Sequence, residues 1–125
     1  MKLIWHHNIW PWGKTIRIVA ANGGAIIEMS FENNQPGVCF LSGLSVIPPK
    51  RKQGIAKHLM FACETYCKEN GIFRIDLNSV LTDWVQEFYK KCGYVPIKEE
   101  NGFMPMYKLL YAKEETKHEI LKKNG

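Results

Sequence analysis

The segment Leu44-Ser45-Val46-Ile47-Pro48-Pro49-Lys50-Arg51-Lys52-Gln53-Gly54-Ile55-Ala56 ends an apolar strand, turns through two prolines and opens a helix with basic residues around a glycine. A helix start of this kind attracts anions, because about four backbone N–H groups lack intrahelical partners there and the helix dipole adds about half a positive charge. Gly54 and Ala56 let a ligand approach the backbone closely, and Arg51 and Lys52 add charge at the rim. Residues 51–56 therefore read as a phosphate cradle suited to a phosphorylated cofactor. By itself a basic-x-x-Gly-x-Gly/Ala run is a weak signal, since any helix start can show one.

Other residues carry possible proton chemistry. Glu28 lies on a strand and shares a face with Ile26 and Ser30, either as a base or as part of a solvent face. Asp76 alternates with Ile75 and Leu77, which fits a paired structural carboxylate. His6 and His7 are adjacent in an N-terminal segment and read as surface residues. Cys39, Cys63, Cys67 and Cys92 are far apart in sequence apart from the pair 63 and 67, which a helix places one turn apart. Without CxxC spacing they read as reduced, mostly buried thiols, and no metal is expected.

The elements that must position these groups follow from periodicity and turn residues. Residues 15–21 and 25–32 alternate and flank Asn22-Gly23-Gly24, which predicts a hairpin. Asn33-Asn34-Gln35-Pro36-Gly37 forms the next turn, and Val38 to Val46 is a long apolar strand with a bulge expected at Gly43. Three antiparallel strands thus precede the cradle. From Gly54 to about Asn70, Ile55, Leu59, Ala62, Cys63, Tyr66 and Cys67 recur at helical period. A strand at 72–77 follows, parallel to the strand before the helix because a crossover joins them. A second helix starts near Thr82 or Asp83 and stops at Gly93, and the segments 94–97 and 103–111 form a last strand pair.

The chain of 125 residues is expected to form one domain, with an abbreviated segment over 1–14 and a charged, weakly helical tail over 113–125. It has no apolar run of signal-peptide or membrane-spanning length, so a cytoplasmic location is expected. The net charge of +5 admits an anionic cofactor, a lysine-rich tail or nucleic acid. Nucleic acid is the minor reading, because the basic residues are dispersed and no helix joins a basic face to exposed aromatics.

The order strand, Val46-x-Pro48-x-x-Arg51-x-x-Gly54-x-Ala56, helix, strand, Phe88-Tyr89-x-x-x-Gly93-Tyr94 resembles the GNAT superfamily of acetyl-CoA-dependent N-acetyltransferases over roughly Val38 to Leu110. The resemblance implies an α+β fold whose mixed sheet is antiparallel at first, then splays at a bulge near Leu44 beside a parallel strand, with two main helices flanking it. It implies that acetyl-CoA lies in the split. Backbone groups of Leu44 and Val46 would meet the pantetheine, and residues Arg51, Lys52, Gln53, Gly54, Ile55 and Ala56 would hold the pyrophosphate. Thr82 stands where the family often has an asparagine, a place Asn78 could fill; from the residues alone Thr82 reads first as a helix cap and Asn78 as a strand-end turn residue.

By the same resemblance, Tyr89 would protonate the departing CoA thiol, with a core aromatic as the alternative reading. A backbone N–H near Leu44 would stabilise the oxyanion, and the amine would attack the thioester directly. The family's usual glutamate is missing from the strand 38–46, so Glu28 is the first candidate base. The acceptor is expected to be a small-molecule or peptide amine. The abbreviated N-terminus leaves the acceptor side open or completed by another subunit, and it or the strand 103–111 could form a homodimer contact. A module that binds CoA without turnover is the alternative function.

Overall fold

The computed structural model describes residues 1–51 and 54–111. Lys52, Gln53 and the tail expected over 113–125 lie outside the described residues. The elements are β1 (Leu3–Trp10), β2 (Gly13–Ala20), β3 (Ala25–Glu32), β4 (Val38–Val46), a short 3-10 turn (Pro48–Lys50), α1 (Ile55–Glu69), β5 (Arg74–Val80), α2 (Asp83–Lys91), β6 (Val95–Pro96) and β7 (Phe103–Leu109). They form a seven-stranded sheet in the order β1-β2-β3-β4-β5-β7-β6, antiparallel throughout except for the parallel pair β4–β5.

One sequence expectation needs correction. Four antiparallel strands precede the cradle, not three, because β1 pairs with β2 from Leu3↔Ala20 to Trp10↔Gly13. This edge strand is largely exposed; Leu3 packs on the core and Trp5 and His7 meet the Tyr66 ring of α1, too little burial to impose a clear alternation. The expected last strand pair is present as β6 and β7, with β7 between β5 and β6, and the sheet edges are β1 and β6.

Both helices cover one face. Cys39 and Leu41 pair in register with Ile75 and Leu77, and Leu77 and Ile75 pair in turn with Met106 and Lys108, so all six side chains share that face. On it, α1 buries Ile55, Leu59, Met60, Cys63 and Cys67 against the fully buried Ile16, Ile18, Ile27 and Met29. A Leu or Ile of this kind contributes about 2 kcal/mol by burial. From the same face Lys108 reaches Glu64 on α1 and the carbonyl of Cys92 just after α2. The opposite face carries Arg17, Glu28, Ser30, Phe40, Asp76 and Tyr107, and no helix among the described residues covers it.

The bend that opens the sheet is local. Glu28 faces Gly43 while Met29 faces Leu41, so Ser42 is the extra residue of a bulge. Parallel pairing of β4 with β5 ends at Leu41↔Leu77, the residue before the bulge, and the strands part beyond it.

One close approach fixes the first hairpin to the third strand. A Cβ on Gly13 would sit 1.9 Å from the Phe31 carbonyl oxygen, a backbone atom that cannot swing away. Gly13→Ala is expected to cost about 2–4 kcal/mol, read as a lower urea midpoint at unchanged slope.

Candidate active site in the split between two strands

Beyond Leu41 the two parting strands and the helix starts enclose a cleft of 1110 Å³. Its walls include Leu44 and Val46 from β4, Arg51, Gly54, Ile55 and Ala56 from the turn and α1, Asn78 from β5, and Thr82 and Tyr89 from the second crossover. The structure thus brings the described candidate cofactor residues and Tyr89 into one cavity. Glu28 is not among its walls.

The backbone of β4 is aimed into this cleft. Ile47 donates its amide to the Gly24 carbonyl at 2.7 Å, on the β3 side. Strand alternation then turns the N–H and C=O groups of Val46 and Leu44 to the other edge, where β5 has left. The Leu44 groups and the Val46 N–H are turned toward a ligand as a missing strand would be, while the Val46 carbonyl already accepts from Arg51.

At the far end α1 begins at Ile55 after Gly54, which sits in the left-handed region at φ 78°. That conformation favours glycine, and a Cβ there would meet nothing within 4 Å, so the demand is conformational. No side chain caps the helix and its first turn has no acidic residue. Helix geometry directs the amides of Ile55, Ala56 and Lys57 out of this end, an anion site by construction. Arg51 closes the rim: its Nε donates to the Val46 carbonyl at 2.9 Å, and its guanidinium lies 5.5 Å from the Trp84 ring at the start of α2.

Tyr89 is placed by the way α2 ends. Tyr94 donates its amide to the Tyr89 carbonyl at 3.0 Å, and Gly93 donates to Lys90 at 2.9 Å, with Gly93 at φ 96°. This is a Schellman termination, in which glycine takes the left-handed position and the residue after it packs back on the last turn. The Tyr89 and Tyr94 rings accordingly meet edge to face, 6.0 Å apart. The spacing Tyr89-x-x-x-Gly93-Tyr94 is therefore a helix stop that also holds a phenol on the cleft wall. Burial pushes the Tyr89 pKa above its ordinary value of 10.0, with a smaller push from Cys92.

The remaining candidates resolve as follows. Thr82 is the N-cap of α2 by position, yet its side chain makes no capping bond; its carbonyl accepts from Val85 and Gln86 at 3.1 Å each. Asn78 is exposed on β5, paired with Pro105, and lines the cleft. Glu28 lies on the helix-free face behind the bulge, ion-paired with Arg17 at 3.2 Å and accepting the Ser42 hydroxyl at 3.1 Å. Ser42 and Gly43 do line the cleft, and they are the β4 residues that bond to and pair with Glu28. Asp76 pairs with Arg74 at 2.6 Å and is a structural carboxylate. His6 and His7 are exposed on β1.

Sequence reading missed two features. Ser42, the bulged residue, lines both the cleft and a second cavity of 450 Å³ on the helix-free face, where Trp12, Glu32 and Phe40 also lie. Cys39 converges with Cys63 and Cys67, because β4 packs directly beneath α1; separation along the chain hid this. All four cysteines are free thiols, three of them buried and Cys92 half-buried.

The sequence matches the Acetyltransferase (GNAT) family over residues 5–94, and the chain belongs to that family. Solved structures share the fold. The PaiA N-acetyltransferase of Thermoplasma acidophilum, in complex with coenzyme A, is 22% identical with a TM-score of 0.66, the match covering 76% of this chain and 59% of that one. An acetyltransferase of the GNAT family from Staphylococcus aureus is 21% identical with a TM-score of 0.66, covering 79% of this chain and 68% of that one. A Bacillus subtilis acetyltransferase in complex with CoA is 17% identical with a TM-score of 0.64, covering 80% and 78%. This chain thus spans little more than half the length of the Thermoplasma protein. No curated protein sequence matches it. Among the described residues no helix is long and apolar enough to cross a membrane.

Proposed function

We propose that this protein is an acetyl-CoA-dependent N-acetyltransferase in which a primary amine of a small molecule or peptide attacks the thioester directly. One observation carries the reading: the split beyond Leu41 gathers a strand edge, an uncapped helix start and a buried phenol in one cleft. The coenzyme A held by the Thermoplasma and Bacillus structures of the same fold supports it.

In this reading the backbone of Leu44 and Val46 pairs with the pantetheine arm, and the Leu44 N–H faces the oxyanion. Arg51, Gly54, Ile55 and Ala56, together with Lys52 and Gln53, hold the pyrophosphate, while Asn78 and Thr82 flank the arm. Tyr89 returns a proton to the CoA sulfur. Glu28 draws the amine proton across the bulge through Ser42 or a water, since Gly43 puts no side chain in the way. The reaction needs no metal, and the free thiols suit a reducing cytoplasm. Pairing of two chains along β1 would cover the exposed edge and complete the open acceptor side.

Turnover with a panel of amines tests this: CoA thiol released from acetyl-CoA, with the acetylated amine identified by mass. Acetylation of at least one primary amine supports it, and CoA binding with no acceptor turned over favours a binding module. A specific observation favours that second reading, because Arg17 and Ser42 already engage Glu28. Gly54→Val is expected to weaken acetyl-CoA binding about tenfold, as a β-branched residue at φ 78° forces the cradle backbone to shift; calorimetric titration measures it.

A further inference from the structure

Cys39 in the middle of β4 and Cys63 and Cys67 on α1 are fully buried, and their three Sγ atoms all lie within 4.8 Å of one another. The proposed acetyl transfer uses none of them. Two are one helical turn apart on a single face and the third comes from the strand beneath, so the sulfurs form a triangle on two rigid elements. We propose that this triangle binds a trivalent, thiol-seeking ion, with arsenite as its simplest form.

The ligand set and the surroundings select the charge. Three sulfurs and no nitrogen or carboxylate favour soft centres. A divalent ion on three thiolates leaves a net negative charge, and a monovalent ion leaves more, which the Ile, Leu and Met packed around the site oppose; Lys14 acts on Cys67 and Glu64 on Cys63 with opposite sign. A trivalent centre leaves none. In the step itself, arsenous acid, As(OH)₃, exchanges three As–O bonds for three As–S bonds. Each thiol proton leaves with one hydroxide as water, and neither arsenic nor sulfur changes oxidation state.

The geometry is close to what bonding requires. Sulfurs held about 2.3 Å from a pyramidal centre lie about 3.5 Å apart, so a pair at the 4.8 Å limit needs to close by about 1.3 Å. Closure joins α1 to β4 and tightens the element whose first turn forms the end of the cleft.

Titration of the intact protein with sodium arsenite, followed by the near-ultraviolet arsenic–thiolate absorbance, tests the site. One ion per chain is expected. Cys39→Ser, Cys63→Ser and Cys67→Ser should each weaken binding at least about tenfold, and Cys92→Ser should leave it unchanged. Wild-type affinity in Cys39→Ser, or no saturable binding, overturns the proposal. X-ray absorption of the arsenic-loaded wild type gives an answer that does not depend on the variants folding: a shell of three sulfurs and no oxygen supports the site, and two sulfurs with an oxygen overturn it.

Discussion

Tyr89→Phe is expected to lower kcat for acetyl transfer about 100-fold while changing the affinity for acetyl-CoA less than about twofold. The substitution keeps the ring that packs on Phe88 and Tyr94, so the fold retains its contacts and only the hydroxyl is lost. Without it the CoA sulfur leaves as a thiolate with no donor from Tyr89, a costlier departure than as a thiol. The pH dependence carries a second signature. Burial raises the phenol above 10.0, so it is protonated throughout roughly pH 6 to 9, and no falling limb from Tyr89 lies within that range. The variant's loss in kcat should therefore be constant across it. Stopped-flow or steady-state thiol release measures both effects; an unchanged kcat shows that Tyr89 is only a packing residue.

A large loss of stability is also expected at Lys108. Its Nζ lies 2.7 Å from the Glu64 carboxylate, donates to the Cys92 carbonyl at 2.7 Å, and sits 5.8 Å from the Tyr94 ring. Glu64 also accepts the Tyr94 hydroxyl at 3.3 Å. The Lys108 and Glu64 side chains are only 27% and 13% exposed, so removing one partner strands the other in a poorly hydrated place. Lys108→Met should cost about 3 kcal/mol, and adding Glu64→Gln should recover part of it. Urea unfolding of the two single variants and the double variant measures the coupling. A loss below about 1 kcal/mol would show that solvent already screens the pair. This group ties β7, α1 and the end of α2 together, so loosening it also frees the helix stop that positions Tyr89.

What was legible in the sequence was local. The bounds of β4 follow from an apolar run between turn residues and prolines, and those of α1 and α2 from 3.6-residue periodicity ended by Asn70-Gly71 and Gly93. The family resemblance rested on the same local signals. What was not legible depends on how elements meet. β1 carries no clear alternation because little of either face is buried, its helix side meeting α1 through Trp5 and His7 at the Tyr66 ring. Placing β7 inside the sheet needed its register with Arg74–Val80. Glu28's engagement by Arg17 and Ser42 is set by cross-strand register and by a bulge one residue from the glycine that signalled it. The Cys39–Cys63–Cys67 triangle and the Glu64–Lys108 pair join residues of different elements, and no pattern within either element encodes them.

The claim on which the account rests is that the split between β4 and β5 binds acetyl-CoA. Thermal unfolding with and without the ligand tests it most directly. Acetyl-CoA at 100 times its dissociation constant should add about 2.7 kcal/mol and raise the midpoint by about 10 °C, with CoA giving a similar rise and unrelated nucleotides none. An unchanged midpoint at saturating acetyl-CoA would contradict the account, leaving a protein with the family's fold and no cofactor in its cleft.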